Sequence, residues 1–280
     1  PGMGQHIHIL TSANERLQKI HLIRVLSAIW QDRGSNLSFG DRPPPKTDIV
    51  IAHTDYSHIE EAFFSNVDSG LPIINGQARS ILKTAVSQAL ISADTDWDGP
   101  VIVKTNANAH AGEEYAYHRL DIPRLAKIIA ARAIPWQWVG ELPLRRYPIL
   151  DHVERVPGWV WQDDRLIVER FIPERDGELY VLRLWMFFGR REYCMRVLSE
   201  LPIVKSRKLV KVELVDEVPD EVRRLRQKLG LDFGKIDYVM HDGRPVVFDV
   251  NKTPTVFLNK KGQPGPYVRQ LADGLEDFIK

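Results

Sequence analysis

Apolar positions along this chain fall into short strand-like runs separated by stretches with helical spacing, and their order predicts the architecture. His6 to Leu10 reads as a strand. Glu15 to Trp30 carries Leu17, Ile20, Leu22, Ile23, Leu26 and Ile29 near the spacing of one helix face. Asp48 to Ala52 is an apolar strand running into His53-Thr54-Asp55, and Leu71 to Ile74 reads as a further strand before the boundary Asn75-Gly76. Strand, helix, loop, strand is the opening of a small α/β domain. Downstream, the pattern predicts a helix over Ser80 to Ile91, a strand over Pro100 to Thr105 and a helix over Ile122 to Ala133. Leu166 to Ile172, Glu178 to Phe188 and Arg191 to Ser199 read as strands. Asp220 to Leu229 reads as a helix stopped by Gly230, and a last helix starts near Tyr267 with Val268, Leu271, Leu275 and Phe278 on one face.

The most informative pattern is Asp237 to Asn251, two strands meeting at Asp242-Gly243. In its second strand Asp249 and Asn251 alternate with apolar residues, which places those two on one face and Val246, Phe248 and Val250 on the other. Two carboxylates and an amide on a rigid hairpin suit a hard cation such as Mg²⁺, which commonly bridges to substrate phosphates. A two-residue turn would pair His241 with Arg244 and turn Asp237 away from Asp249. A shared metal site therefore predicts an odd-numbered connection, most simply His241-Asp242-Gly243 with a bulge at Gly243.

Composition narrows the function classes. The 280 residues leave ample core for about two domains, and 44% hydrophobic with 27% charged content describes a folded globular chain. With 38 basic and 37 acidic residues the net charge is +1, which argues against a bulk nucleic-acid binder but allows a local basic pocket. No run approaches the length of a membrane span. One cysteine, Cys194, allows neither an internal disulfide nor a cysteine-based zinc site, so a reducing, cytoplasmic setting is expected. Phosphate-binding glycine loops, nucleophile elbows and zinc-protease pairs are absent from the sequence.

The remaining chemistry is cationic. Lys104 ends a Val/Ile run, from which a lysine can either snorkel to water or reach a phosphate. Lys83 sits in the predicted helix, where a solvated face is the plainer use. Glu169 ends an apolar strand where the chain turns, so it could accept from an adenine amino group. Arg183 and Arg196 lie on adjacent predicted strands and suit phosphate or carboxylate, or surface ion pairs. His53 and Asp55, at a strand end, suit either an acceptor substrate or loop capping. The Trp-rich segment 136–161 reads first as core, then as a cover for the acceptor site or a homodimer contact.

Taken in order, Ile81-Leu82-Lys83, Pro100 to Lys104, Val168 to Ile172, Arg183, Arg196, Ile236-Asp237 and Phe248 to Pro254 make residues 71–258 resemble the ATP-grasp superfamily. The resemblance implies an α/β (α+β) fold with an N-terminal α/β domain over 1–75 and two ATP-clamping subdomains over 76–165 and 166–280. It implies that Lys83 and Lys104 contact ATP phosphates and that Glu169, Arg170, Phe171 and Ile172 form the adenine hinge. Glu178 then lies near the ribose, and Arg183 and Arg196 face the transferred phosphate. Asp237, Asp249 and Asn251 hold one or two Mg²⁺ ions, with Mn²⁺ as a substitute. Two departures stand out: Asp249 occupies a position where Glu is common, and the lid-like loop Asn106 to Gly112 has a single glycine, with Asn108 and His110 as its polar contacts.

The resemblance also implies an ATP-dependent ligase that activates a carboxylate as an acyl phosphate for an amine or thiol. A kinase acting on a hydroxyl is the alternative, and a nucleotide-binding regulator without turnover the second. The expected partners are ATP and a small-molecule or peptide acceptor, with no nucleic acid and no membrane. Lys104 and Asp249 are expected to point into a cleft, so that removing either side chain leaves the fold intact.

Overall fold

The structure is a computed structural model that describes residues 4–12, 17, 20–108, 122–131, 133–143, 146–204, 208–256 and 263–279. Its N-terminal layer is a four-stranded parallel sheet in the order β2-β1-β3-β4, from β1 (His6–Leu10), β2 (Asn36–Gly40), β3 (Ile49–Ala52) and β4 (Ile73–Ile74). The β1–β2 connection contains α1 (Leu22–Asp32), whose Leu22, Ile23, Leu26 and Trp30 pack on Ile7 and Ile9 of the sheet. That is the half-buried helix the spacing predicts, although the helix begins at Leu22 rather than Glu15. His21 bridges Thr255 there, and the backbone N–H of Leu22 bonds the Pro254 carbonyl at 2.8 Å. A tertiary contact thus sets the helix start.

The predicted helix over Ser80 to Ile91 shrinks to a single turn, α2 (Lys83–Val86). Its flanks are drawn into other backbones: Gln88 N–H bonds Val247 O at 2.9 Å, Ile91 N–H bonds Val168 O at 3.1 Å, and Ala89 O accepts from Arg170 N–H at 2.8 Å. These partners outbid a local helix because each buried backbone group needs one hydrogen bond and finds it in a neighbouring strand. The middle layer is a three-stranded sheet, β6-β5-β7, from β5 (Val101–Thr105), β6 (Ile149–Leu150) and β7 (Leu166–Arg170). Strand β7 therefore belongs with the middle segment, whereas a boundary at 166 would assign it to the C-terminal one. Trp136, Trp159 and Trp161 pack in this sheet's core with Val101, Val103 and Val168. Trp138, in the one-turn α4 (Trp136–Val139) that follows α3 (Ile122–Ala130), is 83% exposed.

The third layer is a six-stranded antiparallel sheet ordered β11-β10-β9-β12-β13, with β8 also on β9. Its strands are β8 (Glu174–Asp176), β9 (Leu179–Phe188), β10 (Arg191–Ser199), β11 (Leu209–Val215), β12 (Phe233–His241) and β13 (Arg244–Asn251). One face buries Trp185, Phe187, Tyr238 and Val250 against Val222 of α5 (Asp220–Lys228). On the other face Met186 and Phe188 join the N-terminal core, where α6 (Pro266–Leu271) also packs. The predicted last helix breaks after Leu271 into a 3-10 turn over Ala272–Asp277, and Ala272 O accepts from Trp30 Nε1 at 2.9 Å. Asn75, at φ 61°, ties the first layer to the third: its amide donates to Phe233 O at 2.7 Å and accepts from Asp232 and Phe233 N–H at 2.9 and 3.0 Å. No helix among the described residues is long and apolar enough to cross a membrane.

His53, just past β3, is fully buried with the His21 ring 5.6 Å away. Burial, reinforced by His21, pushes its pKa down to about 3. A histidine held neutral in the fold but free to protonate at its ordinary value of 6.5 when unfolded supports stability above that value. That support is lost as pH falls from 6.5 towards about 3. Unfolding free energies from urea titrations down this window are expected to fall, by up to about 1.4 kcal/mol per pH unit. In His53→Asn the same slope should be shallower.

Candidate active site

The hairpin of β12 and β13 places its acidic residues by an unexpected route. Its connection is a strict two-residue turn: His241 pairs with Arg244, and Asp242 and Gly243 adopt φ 49° and 77°, both positive as a type I′ turn requires. The three-residue connection is thus not formed. Asp-Gly is too good a fit to the tight turn, and the required shift in parity occurs further along. Tyr238 pairs with Val247, but Asp237 pairs with Asp249, so Phe248 is an extra residue in the ladder. This β-bulge brings Asp237 and Asp249 to one face. It also re-sorts the apolar residues: Val246 and Phe248 pack with Val239, and Val247 and Val250 pack with Tyr238 and Ile236. The simple alternation that grouped Val246, Phe248 and Val250 fails at the bulge.

The two aspartates line a cleft of about 280 Å³ between the middle and C-terminal sheets, together with Lys83, Lys104, Glu169 and Phe248. Lys104 on β5 and Glu169 on β7 are diagonal neighbours, since Glu169 pairs with Ile102 two residues earlier. Lys104 Nζ lies 2.5 Å from Glu169 Oε2 and 5.1 Å from the centroid of the Phe248 ring. Glu169 is 0% exposed, so this pair is a desolvated one. Lys83 is 3% exposed; its Nζ donates to Ala107 O at 2.9 Å and stands 3.4 Å from Asp249 Oδ1. The chain from Arg170 to Ile172 also lines the cleft. Arg170 and Phe171 N–H groups are occupied by Ala89 O and Pro100 O, each at 2.8 Å. Ile172 and Val239 line the cleft beside them and pack with Ala89 and Val246 in one apolar cluster.

A third lysine, passed over in the sequence, completes the group. Lys235 pairs with Asn251 across the hairpin, two residues before Asp237 and on the same face. Its Nζ donates to Asp237 Oδ2 at 2.8 Å. Burial works against its charge, but the Asp237 carboxylate outweighs burial and holds the Lys235 pKa above the ordinary lysine value. Burial likewise raises the Asp237 pKa, with Lys235 opposing and Asp249 adding to the rise. Period-two alternation back from Asp237 was the signal that could have found Lys235.

Other expected site residues lie elsewhere. Arg183 pairs with Tyr238 and Arg196 with Arg183, whereas Asp237 pairs with Leu184. Both arginines therefore stand on the sheet face opposite the aspartates. Arg183 makes a two-point bond to Glu174 at 2.7 and 3.0 Å, and Arg196 binds Asp176 and Glu213, each at 2.8 Å. Strand register, invisible without the structure, decides this and sets them on the face away from the aspartates. Glu178 is on the outside of the β8–β9 turn, fully exposed, with Arg175 3.8 Å away, and does not line the cleft. Asn251 shares the aspartates' face; its Oδ1 accepts from Thr253 N–H at 2.7 Å, and the Thr253 hydroxyl bonds the Asp55 carboxylate. Asn108 lines the cleft, with its N–H on Ser57 Oγ at 2.7 Å; His110 and Gly112 lie outside the described residues.

Neither a protein-family model nor a curated protein matches the sequence. Solved structures do. The chain aligns with the ATP-grasp ligase PsnB complexed with minimal precursor at 13% identity and TM-score 0.57, over 98% of this chain and 99% of that one. D-cycloserine synthetase DcsG aligns at 13% identity and TM-score 0.54, over 98% and 100%. The macrocyclase MdnC from Microcystis aeruginosa MRC, bound with precursor peptide MdnA, aligns at 12% identity and TM-score 0.54, over 96% and 99%. The chain has an ATP-grasp fold. In this ATP-grasp fold the cleft offers a fit for a divalent cation: Asp237 Oδ1 and Asp249 Oδ1 are buried and make no hydrogen bond among the described residues. Two such oxygens on one face, with the Asn251 amide oxygen beyond them, form an oxygen-only donor set of the kind Mg²⁺ takes.

Proposed function

We propose that this protein is an ATP-dependent ligase that activates a carboxylate as an acyl phosphate and passes it to an amine or another nucleophile. The observation that carries the reading is a set of three lysine–carboxylate pairs: Lys104 with Glu169 and Lys83 with Asp249 in the lining of one cleft, and Lys235, outside that lining, with the cleft residue Asp237. Without ligand each charge neutralises its neighbour. A triphosphate draws the lysines to itself and a cation takes the carboxylates, so nucleotide and metal are bound together and poorly apart. Asp237, Asp249 and Asn251 would hold Mg²⁺, which supplies charge stabilisation on the phosphates when bound. The nucleobase rests on the apolar floor of Ile172 and Val239, read by the chain from Glu169 to Ile172.

Lys83 and Lys104 orient the terminal phosphate, and Lys235 holds the Asp237 carboxylate in position. The carboxylate oxygen bonds to the γ-phosphorus as the bond to the ADP oxygen breaks. The nucleophile then bonds to the acyl carbon and phosphate leaves, taking the electron pair. Positioning and electrostatics suffice for both steps, without a protein nucleophile. That PsnB, DcsG and MdnC are described as a ligase, a synthetase and a macrocyclase supports this class of chemistry.

Incubation with MgATP, hydroxylamine and a panel of amino acids and short acidic peptides tests the reading. A hydroxamate formed in step with ADP identifies an activated carboxylate. ADP release with a phosphorylated alcohol and no hydroxamate would establish a kinase instead. Nucleotide binding without any ADP release across the panel would leave a regulator.

A further inference from the structure

Strand β11 is the outermost strand of its sheet, so among the described residues its outer edge meets no other strand. It also carries an exposed apolar row. Val210, Val212 and Leu214 are 56%, 47% and 59% exposed, an unusual row for an edge, which proteins ordinarily blunt with charge or proline. The charges follow a pattern that depends on direction: Lys211 lies before Val212 and Glu213 after it, the two meeting at 2.5 Å within the strand, and Lys208 and Asp216 flank its ends.

Antiparallel pairing of two such strands about a two-fold axis at Val212 sets each residue opposite its mirror position. Lys211 then faces Glu213 of the second strand, Lys208 faces Asp216, Val210 faces Leu214, and Val212 faces itself. Every opposed pair is either opposite in charge or apolar on both sides, and each charge pair occurs twice. Shifting the register by two residues puts Lys211 opposite Lys211 or Glu213 opposite Glu213, which like-charge repulsion disfavours. The bulge against β10 falls beside Val210, and the ladder from Lys211 to Val215 is regular.

We propose that β11 pairs with β11 of a second copy of this chain, joining two C-terminal sheets into one continuous sheet across a two-fold axis. An isologous interface must be self-complementary, and this charge and apolar order meets that requirement within one strand. The inference rests on the strand's edge position and charge order and is independent of the reaction the cleft performs.

Sedimentation velocity of the full chain at micromolar concentration tests it with two single variants and their mixture. The wild type should sediment at twice the mass of one chain. Lys211→Glu and Glu213→Lys should each weaken self-association by about tenfold or more, because each sets like charges opposite one another twice. Mixing the two variants should restore the dimer, since the unlike chains are again complementary. The double swap Lys211→Glu/Glu213→Lys should dimerise with itself, and circular dichroism of each variant checks that losing the Glu213 partner of Arg196 leaves the fold intact. A monomeric wild type overturns the proposal. So does a Lys211→Glu chain that stays dimeric, or a mixture of singles and a double swap that both remain monomeric.

Discussion

Lys104→Ala is expected to abolish ATP turnover and to destabilise the protein by about 3–5 kcal/mol, because it removes one partner of a buried ion pair. Glu169 has no exposed surface, and Lys104 Nζ is the cation beside it at 2.5 Å. Truncation leaves that carboxylate desolvated and uncompensated, so the expectation that Lys104 could be removed without harm to the fold is corrected by its partner's burial. Lys104→Ala/Glu169→Gln should recover much of the stability, since the stranded charge is gone, but none of the turnover. Chemical denaturation of the three proteins separates the two effects. A single variant as stable as the wild type would mean that water reaches Glu169, and undiminished ADP release would remove Lys104 from the phosphate site.

Asp249→Asn is expected to lower turnover by at least about a hundredfold while leaving the fold intact. The amide keeps the shape of the carboxylate, and the side chain is 27% exposed, so no buried volume is lost. It does lose the anionic oxygen that a cation needs and that Lys83 faces at 3.4 Å. The readout independent of activity is ligand stabilisation. A nucleotide at a hundred times its dissociation constant stabilises the folded state by about 2.7 kcal/mol. In the wild type the shift should require Mg²⁺, and in Asp249→Asn adding Mg²⁺ should change it little. A variant with the full Mg²⁺-dependent shift would place the cation elsewhere.

The position of Asp249 shows where sequence reasoning reached its limit. Alternation along β13 put Asp249 and Asn251 on one face, and that relation survives because no bulge lies between them. Relating Asp249 to Asp237 required knowing the turn and every irregularity between the two. The parity argument demanded one extra residue and placed it at Gly243, whereas the fold inserts Phe248. Register likewise sets Arg183 and Arg196 on the face opposite the aspartates, and the correct phase of β12 reveals Lys235.

By itself the sequence determined the layered α/β character, most strands and the hairpin with its oxygen donors. Those features follow from local periods and residue chemistry, which act over a few residues. Only the tertiary structure decided that Ser80 to Ile91 is largely irregular, because its backbone groups bond to Val247, Val168 and Arg170. It alone assigned β7 to the middle sheet, put Glu178 in solvent and exposed the edge of β11. Each of these depends on which strand lies beside which, and a face or an edge exists only once strands distant in sequence are paired.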